Sequence, residues 1–147
     1  MDNEKVYLVQ TDTTVGFSSS EDEKLSLIKK RPISQKILQT LDSFKTLNAK
    51  TRVPKKYKKL IRNSKKTTFI YPDGNSYRVV DSNNSFSSFI RKFKSHYSTS
   101  ANLTGLKFDE DFAKKQSDVI VYGKFKFQEN ISSSIFKIIR NKKIKIR

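Results

Sequence analysis

Two short β-branched and aromatic runs, Thr67-Thr68-Phe69-Ile70-Tyr71 and Ser76-Tyr77-Arg78-Val79-Val80, are separated only by Pro72-Asp73-Gly74-Asn75. Proline presets one turn residue and glycine supplies a positive φ, so these fourteen positions read as an antiparallel hairpin. An isolated hairpin is marginal in water, so this pair must be extended by more strands and covered by helices. The chain supplies both. Val6-Tyr7-Leu8-Val9 and Val119-Ile120-Val121-Tyr122 read as buried strands. Residues 134–139 and 144–146 read as two last strands, and residues 34–41 as a short one.

Helical signals lie between them. Residues 21–29 predict a helix with Leu25 and Ile28 inward; Ser20 and Glu23 have capping-box spacing, and Lys29-Lys30 closes the last turn. Asp42-Ser43 opens a brief helix carrying Phe44 and Leu47. Pro54 opens a basic one over residues 55–62, with Tyr57, Leu60 and Ile61 inward. Ser85 precedes Phe86, Phe89, Ile90 and Phe93, an i, i+3, i+4, i+7 stripe that reads as core. Asp109 caps a helix to about residue 115. The prediction is a single α/β domain over residues 1–147, a twisted mixed open sheet with helices packed on it.

Composition narrows the chemistry. The 147 residues contain no cysteine, which excludes disulfides and thiolate metal sites, and His96 is the one histidine. A His-based metal site or a Ser-His-Asp triad has little to build on, and no metal ligands are predicted. No apolar run is long enough to span a membrane, and Met1-Asp2-Asn3-Glu4-Lys5 is unlike an export signal, so a cytoplasmic protein is expected. The formal charge of +17 implies an anionic partner such as nucleotide, nucleic acid or ribosome. AT-rich coding bias would also enrich lysine together with Asn, Ile, Phe and Ser. Residues 45–66 and 137–147 hold many cations and no acid, a clustering that strengthens the local field.

Four polar clusters stand out. Thr11-Asp12-Thr13-Thr14-Val15-Gly16 and Ser98-Thr99-Ser100-Ala101-Asn102-Leu103-Thr104-Gly105 read as hydroxyl-rich loops near strand ends, where open α/β sheets bind ligands. Lys29 and Arg31 flank a helix end, where both are expected to be exposed and could hold phosphates. Arg78 lies in the hairpin, where a water-facing arginine is the alternative reading.

In this order, Thr11-Asp12-Thr13 with Gly16, Lys29-Lys30-Arg31-Pro32, Thr68, Arg78 and the run at 98–105 resemble the YrdC/TsaC/YciO-type threonylcarbamoyl-AMP synthase family. The 98–105 run matches that family's Ser-Thr-Ser-Ala-Asn-x-Ser-Gly loop almost completely. Ser133-Ser134-Ile135 is similar to its Ser-Thr-Ile strand, and Arg147 falls at a late arginine. Departures surround the motifs: Val15 stands at a family tyrosine, Gln10 at a proline, and the intervening segments are short.

The resemblance implies a YrdC-like fold and a reaction in which L-threonine, bicarbonate and ATP give threonylcarbamoyl-AMP and pyrophosphate, for threonylcarbamoyladenosine modification of tRNA. It implies ATP binding by Lys29, Arg31, Ser100, Asn102, Ser134 and Arg147, with threonine binding by Thr11, Thr13, Thr68, Arg78 and Ser98. No catalytic side chain is implied, since positioning and charge neutralisation do the work. Mg²⁺ would arrive with ATP as substrate, and tRNA-modification proteins are implied as partners. The alternative of another class is a non-catalytic YrdC-like protein binding double-stranded RNA, tRNA or the ribosome.

Overall fold

The computed structural model describes residues 2–140 and 142–147. Nine strands form one sheet: β1 (Tyr7–Gln10), β2 (Val15–Ser19), β3 (Gln39–Leu41), β4 (Thr67–Ile70), β5 (Ser76–Val79), β6 (Ser95–Ser100), β7 (Val119–Ile120), β8 (Ser134–Ile139) and β9 (Lys142–Lys145). Their order is β7-β1-β2-β6-β3-β5-β4-β8-β9. The β1/β7, β3/β5 and β4/β8 pairs are parallel and the other five are antiparallel, so the sheet is mixed, as predicted. The β4–β5 hairpin lies inside it, its Gly74 at φ +85°.

Five helices accompany the sheet: α1 (Asp22–Lys29), α2 (Phe44–Lys50), α3 (Lys58–Asn63), α4 (Phe86–Ile90) and α5 (Glu110–Gln116). Register separates the two faces, because residues paired across strands share a face and alternate residues do not. One face carries Leu8, Phe17, Leu41, Phe69, Tyr77 and Ile138. It is covered over one half by Leu25 of α1 and Ala113 of α5, and over the other by Leu47 of α2 and Ile61 of α3. The opposite face follows Tyr7↔Ser18↔Ser98 and His96↔Thr40↔Arg78. Only one end of it is covered, where Phe86, Phe89 and Ile90 of α4 pack on Tyr7, Val9 and Val80. Beyond that end the face carries mostly polar side chains and opens into a cavity, which is the candidate site.

Several expectations need correction. β2 takes in Val15 and Gly16, and β6 takes in Ser98, Thr99 and Ser100, from the two stretches that read as loops. Ser98 and Ser100 face a cavity and Ser18 bonds His96, so on that face hydroxyls replace the apolar residues that mark a strand. The strand expected over 34–41 contracts to Gln39–Leu41, and that over 119–122 to Val119–Ile120, with Tyr122 73 % exposed. The basic helix of 55–62 divides into a 3-10 turn (Lys55–Tyr57) and α3, and Leu60 faces water. The Ser20–Glu23 capping box does not form: Ser20 Oγ donates to the Asn3 carbonyl, and Glu21 takes the cap position without a side-chain bond. Ser85 makes no capping bond either; Asn84 Oδ1 accepts from the Phe86 amide instead. Ser43 and Asp109 do cap α2 and α5. No helix is long and apolar enough to cross a membrane among the described residues.

Candidate functional site

The open polar face holds a cavity of about 360 Å³. Six segments line it: Thr11 and Thr13 from the β1–β2 loop, Arg31 after α1, Thr68 and Arg78 from the hairpin strands, Ser98 and Ser100 from β6, Ser132 and Ser133 before β8, and Arg147. No carboxylate is in the lining, and no group of three or more metal-ligating side chains exists among the described residues.

The β1–β2 loop is tied together by its own hydrogen bonds. Thr11 Oγ1 accepts from the Thr13 amide at 3.2 Å and donates to the Thr14 carbonyl, while the Thr11 amide also donates to Thr14. Gly16 follows because a Cβ there would lie 2.8 Å from the Thr99 carbonyl oxygen and 3.2 Å from Thr11 Cγ2. Side-chain absence at this point lets β2 close on β6 beneath the loop.

Arg78 does not face bulk water. Its Nε donates to both Asp12 carboxylate oxygens, at 3.2 and 3.1 Å, and Nη2 donates to Oδ1 at 3.0 Å. Both side chains are at least 96 % buried. The pair ties the β1–β2 loop across the sheet face to β5. On the far wall, Thr68 Oγ1 and Ser133 Oγ share a hydrogen bond of 2.8 Å, and Arg147 Nε donates to the Ser133 carbonyl at 2.9 Å.

Lys29 corrects the expectation of an exposed lysine, since it is 1 % exposed. Its Nζ donates to the Ser100 carbonyl at 2.9 Å, Ser100 Oγ at 3.2 Å, Asn102 Oδ1 at 3.0 Å and the Asn102 carbonyl. Burial, and then the Arg31 charge, pull its pKa from 10.5 down to about 8, while four oxygens around the ammonium favour the charged form. Lys29 thus pins the end of β6 from behind, and Arg31, half-buried, is the cation of that motif that reaches the cavity.

Eight predicted site residues therefore converge: Thr11, Thr13, Arg31, Thr68, Arg78, Ser98, Ser100 and Arg147. Three do not line the cavity. Lys29 lies behind it. Asn102 lines an adjoining cavity of about 310 Å³, which shares Thr14, Ser100 and Ser132 with the first. Ser134 is exposed and shares its face with Phe136 and Ile138, so strand alternation turns it away and Ser133 takes the inward place. Sequence reasoning gave no role to Asp12 or Ser133. A lone acid in a hydroxyl-rich loop, with a single arginine in the hairpin, was the available signal for the first.

No family model matches the chain, and no curated protein matches it by sequence. Solved structures do. The Pyrococcus abyssi (P. abyssi) Sua5 protein complexed with L-threonine superposes with a TM-score of 0.81 at 15 % identity, covering 97 % of this chain and 50 % of that one. Escherichia coli (E. coli) YciO gives 0.77 at 16 % identity, covering 98 % and 82 %. Full-length HypF in a phosphate- and nucleotide-bound form gives 0.71 at 15 % identity, covering 97 % of this chain and 26 % of that one. The chain spans about half the length of the Sua5 protein it matches. At these identities the likeness concerns architecture, and by architecture the chain has the YrdC/Sua5-type fold.

Proposed function

We propose that the protein is a threonylcarbamoyl-AMP synthase-like enzyme, acting on L-threonine, bicarbonate and ATP in support of tRNA modification. One observation carries this reading: eight motif residues from five separated segments meet in one cavity that offers hydroxyls and cationic groups but no carboxylate, imidazole or thiol side chain to activate a nucleophile. Such a lining suits a reaction catalysed by positioning and phosphate neutralisation. The volume is within the range of small-molecule sites. Neighbours of the same fold include a complex with L-threonine and a form bound to phosphate and nucleotide, which supports both substrate classes here.

In this scheme the threonine amine and bicarbonate give a carbamate and water. A carbamate oxygen attacks the α-phosphorus of ATP, the α–β phosphoanhydride bond breaks, and pyrophosphate leaves. Arg31 and Arg147 hold phosphate oxygens, with Mg²⁺ carried by the nucleotide. Arg78, Thr11, Thr13, Thr68 and Ser98 hold the amino acid. Ser100 and Asn102, fixed by Lys29, shape the nucleotide side where the two cavities adjoin. The test is pyrophosphate release: it should require threonine, bicarbonate and ATP together, and release independent of threonine would refute the proposal.

A second reading, RNA binding without catalysis, draws on exposed Arg52, Lys55, Lys58, Lys59 and Arg62 along the 3-10 turn and α3, a stretch with no acid. It requires affinity for tRNA or duplex RNA that falls steeply with salt. Affinity insensitive to salt would remove it.

A further inference from the structure

Residues 121–133 join β7 to β8, two strands with six others between them in the sheet, and they do so as a strap with no helix or strand of its own. Single hydrogen bonds fasten its middle. Gln10 Nε2 donates to the Gln128 carbonyl at 3.1 Å, and Gln10 Oε1 accepts from the Gln128 amide at 2.8 Å. One side-chain amide, which carries both a donor and an acceptor, thus satisfies both backbone groups of Gln128. The Val15 amide donates to the same carbonyl, the Asn130 amide donates to Thr14 Oγ1, and Glu129 Oε2 accepts from the Phe108 amide. Gln10 is one of the departures from the loop motif that the chain resembles, and it is outside the lining of both cavities described above.

Beyond this fastening comes Ser132. It lines the cavity of about 360 Å³ and the adjoining one of about 310 Å³, and with Thr14 and Ser100 it stands where the two meet. Chain on both sides of it is anchored, Asn130 to Thr14 and Ser133 to Thr68, while Ser132 itself makes no hydrogen bond among the described residues. Its hydroxyl is free for a ligand.

We infer that Ser132 is a nucleotide-binding residue and Gln10 its positioning residue: by latching Gln128, Gln10 holds the strap where Ser132 meets ATP at the junction of the two cavities. The inference rests on the reading of threonine and ATP as substrates, and extends it to two residues outside the motifs. A segment without ladder bonds keeps its shape only through such individual contacts. Without the Gln10 amide, the Gln128 amide turns to water and residues 128–132 gain freedom. Nucleotide binding must then order Ser132, and that entropy cost falls on ATP affinity. Threonine, held by the hydroxyls of the β1–β2 loop and by Arg78, is not affected.

The experiment is calorimetric titration, with ATP and with L-threonine separately, of the unaltered protein, Gln10→Met, Ser132→Ala and the double variant. Methionine keeps the stem and loses both bonds, and the backbone pairing of position 10 with Val15 is left in place. Each single variant should bind ATP about five-fold more weakly, the scale of one net hydrogen bond, and threonine within about two-fold of the unaltered protein. The double variant should match the weaker single variant, because Gln10 acts through Ser132. ATP affinity within about two-fold in either single variant, losses that multiply in the double variant, or an equal loss for threonine would overturn the inference. Absence of ATP binding by the unaltered protein would refute the substrate reading itself. The latch is also read without ligand: tryptic cleavage after Lys124 and Lys126, both exposed on the strap, should be about five-fold faster in Gln10→Met, and equal rates would overturn the inference whatever the substrate.

Discussion

Lys29→Met distinguishes a buried pin from a surface phosphate ligand. Methionine keeps the apolar stem and removes the ammonium. The Ser100 and Asn102 carbonyls, the Ser100 hydroxyl and Asn102 Oδ1 all lose their donor. An unsatisfied buried acceptor costs about 1–3 kcal/mol. Ser100 and Asn102 are half-buried, so water replaces part of what is lost, and the two carbonyls together cost about 2–4 kcal/mol. Removing a desolvated charge returns part of that, for a net loss of about 1–3 kcal/mol. For a chain of this length each kcal/mol lowers Tm by roughly 3 °C, so the melting temperature should fall by roughly 3–9 °C. An exposed lysine would change stability by no more than about 0.5 kcal/mol. Calorimetric melting at pH 7, where the ammonium is charged in both states, measures the difference. A Tm within about 1 °C of the unaltered protein would refute the pinning argument.

His96 should titrate near 4, because burial disfavours the imidazolium, and its neutral ring bonds Ser18 Oγ at 2.9 Å and Asn3 Oδ1 at 2.7 Å. Its folded pKa lies below the ordinary 6.5, so its stabilisation is complete above about 6.5 and is lost as pH falls towards 4, about 2–4 kcal/mol in all. NMR titration of the ring checks this, and a midpoint near 6.5 would contradict it. Gly16→Ala should destabilise by about 1–3 kcal/mol, since the added methyl meets the Thr99 carbonyl, and denaturant unfolding reads the loss. Ser133→Ala should cost about 1 kcal/mol by breaking the bond to Thr68 and should weaken ligand binding, whereas Ser134→Ala should leave both within error.

Legibility in the sequence followed burial chemistry. The β4–β5 hairpin, the α4 stripe and the α2 and α5 caps were readable because apolar periodicity and cap residues act locally. β2 and β6 were not, because their cavity-facing positions are Gly16, Ser98 and Ser100, so on that face the apolar signal of a buried strand was absent where the site is built. The candidate site was legible as a set of motifs, and eight of its members do meet. Their division of labour was hidden: Lys29 and Arg31, two residues apart, separate into a buried pin and a cavity cation as the chain leaves α1 through Lys30 at φ +54°.

By itself the sequence determined most of the helices and apolar strands, the surplus of positive charge, the absence of thiol chemistry and the kinds of group available to a site. These depend on residues near one another in the chain. Tertiary structure decided which charges remain free. Asp12 and Arg78 are 66 residues apart, yet they cancel across the sheet, while Arg31 and Arg147 reach the same cavity with no ion pair among the described residues. Coulomb energy depends on distance in space and on burial, and both are fixed only when the sheet brings distant strands into register.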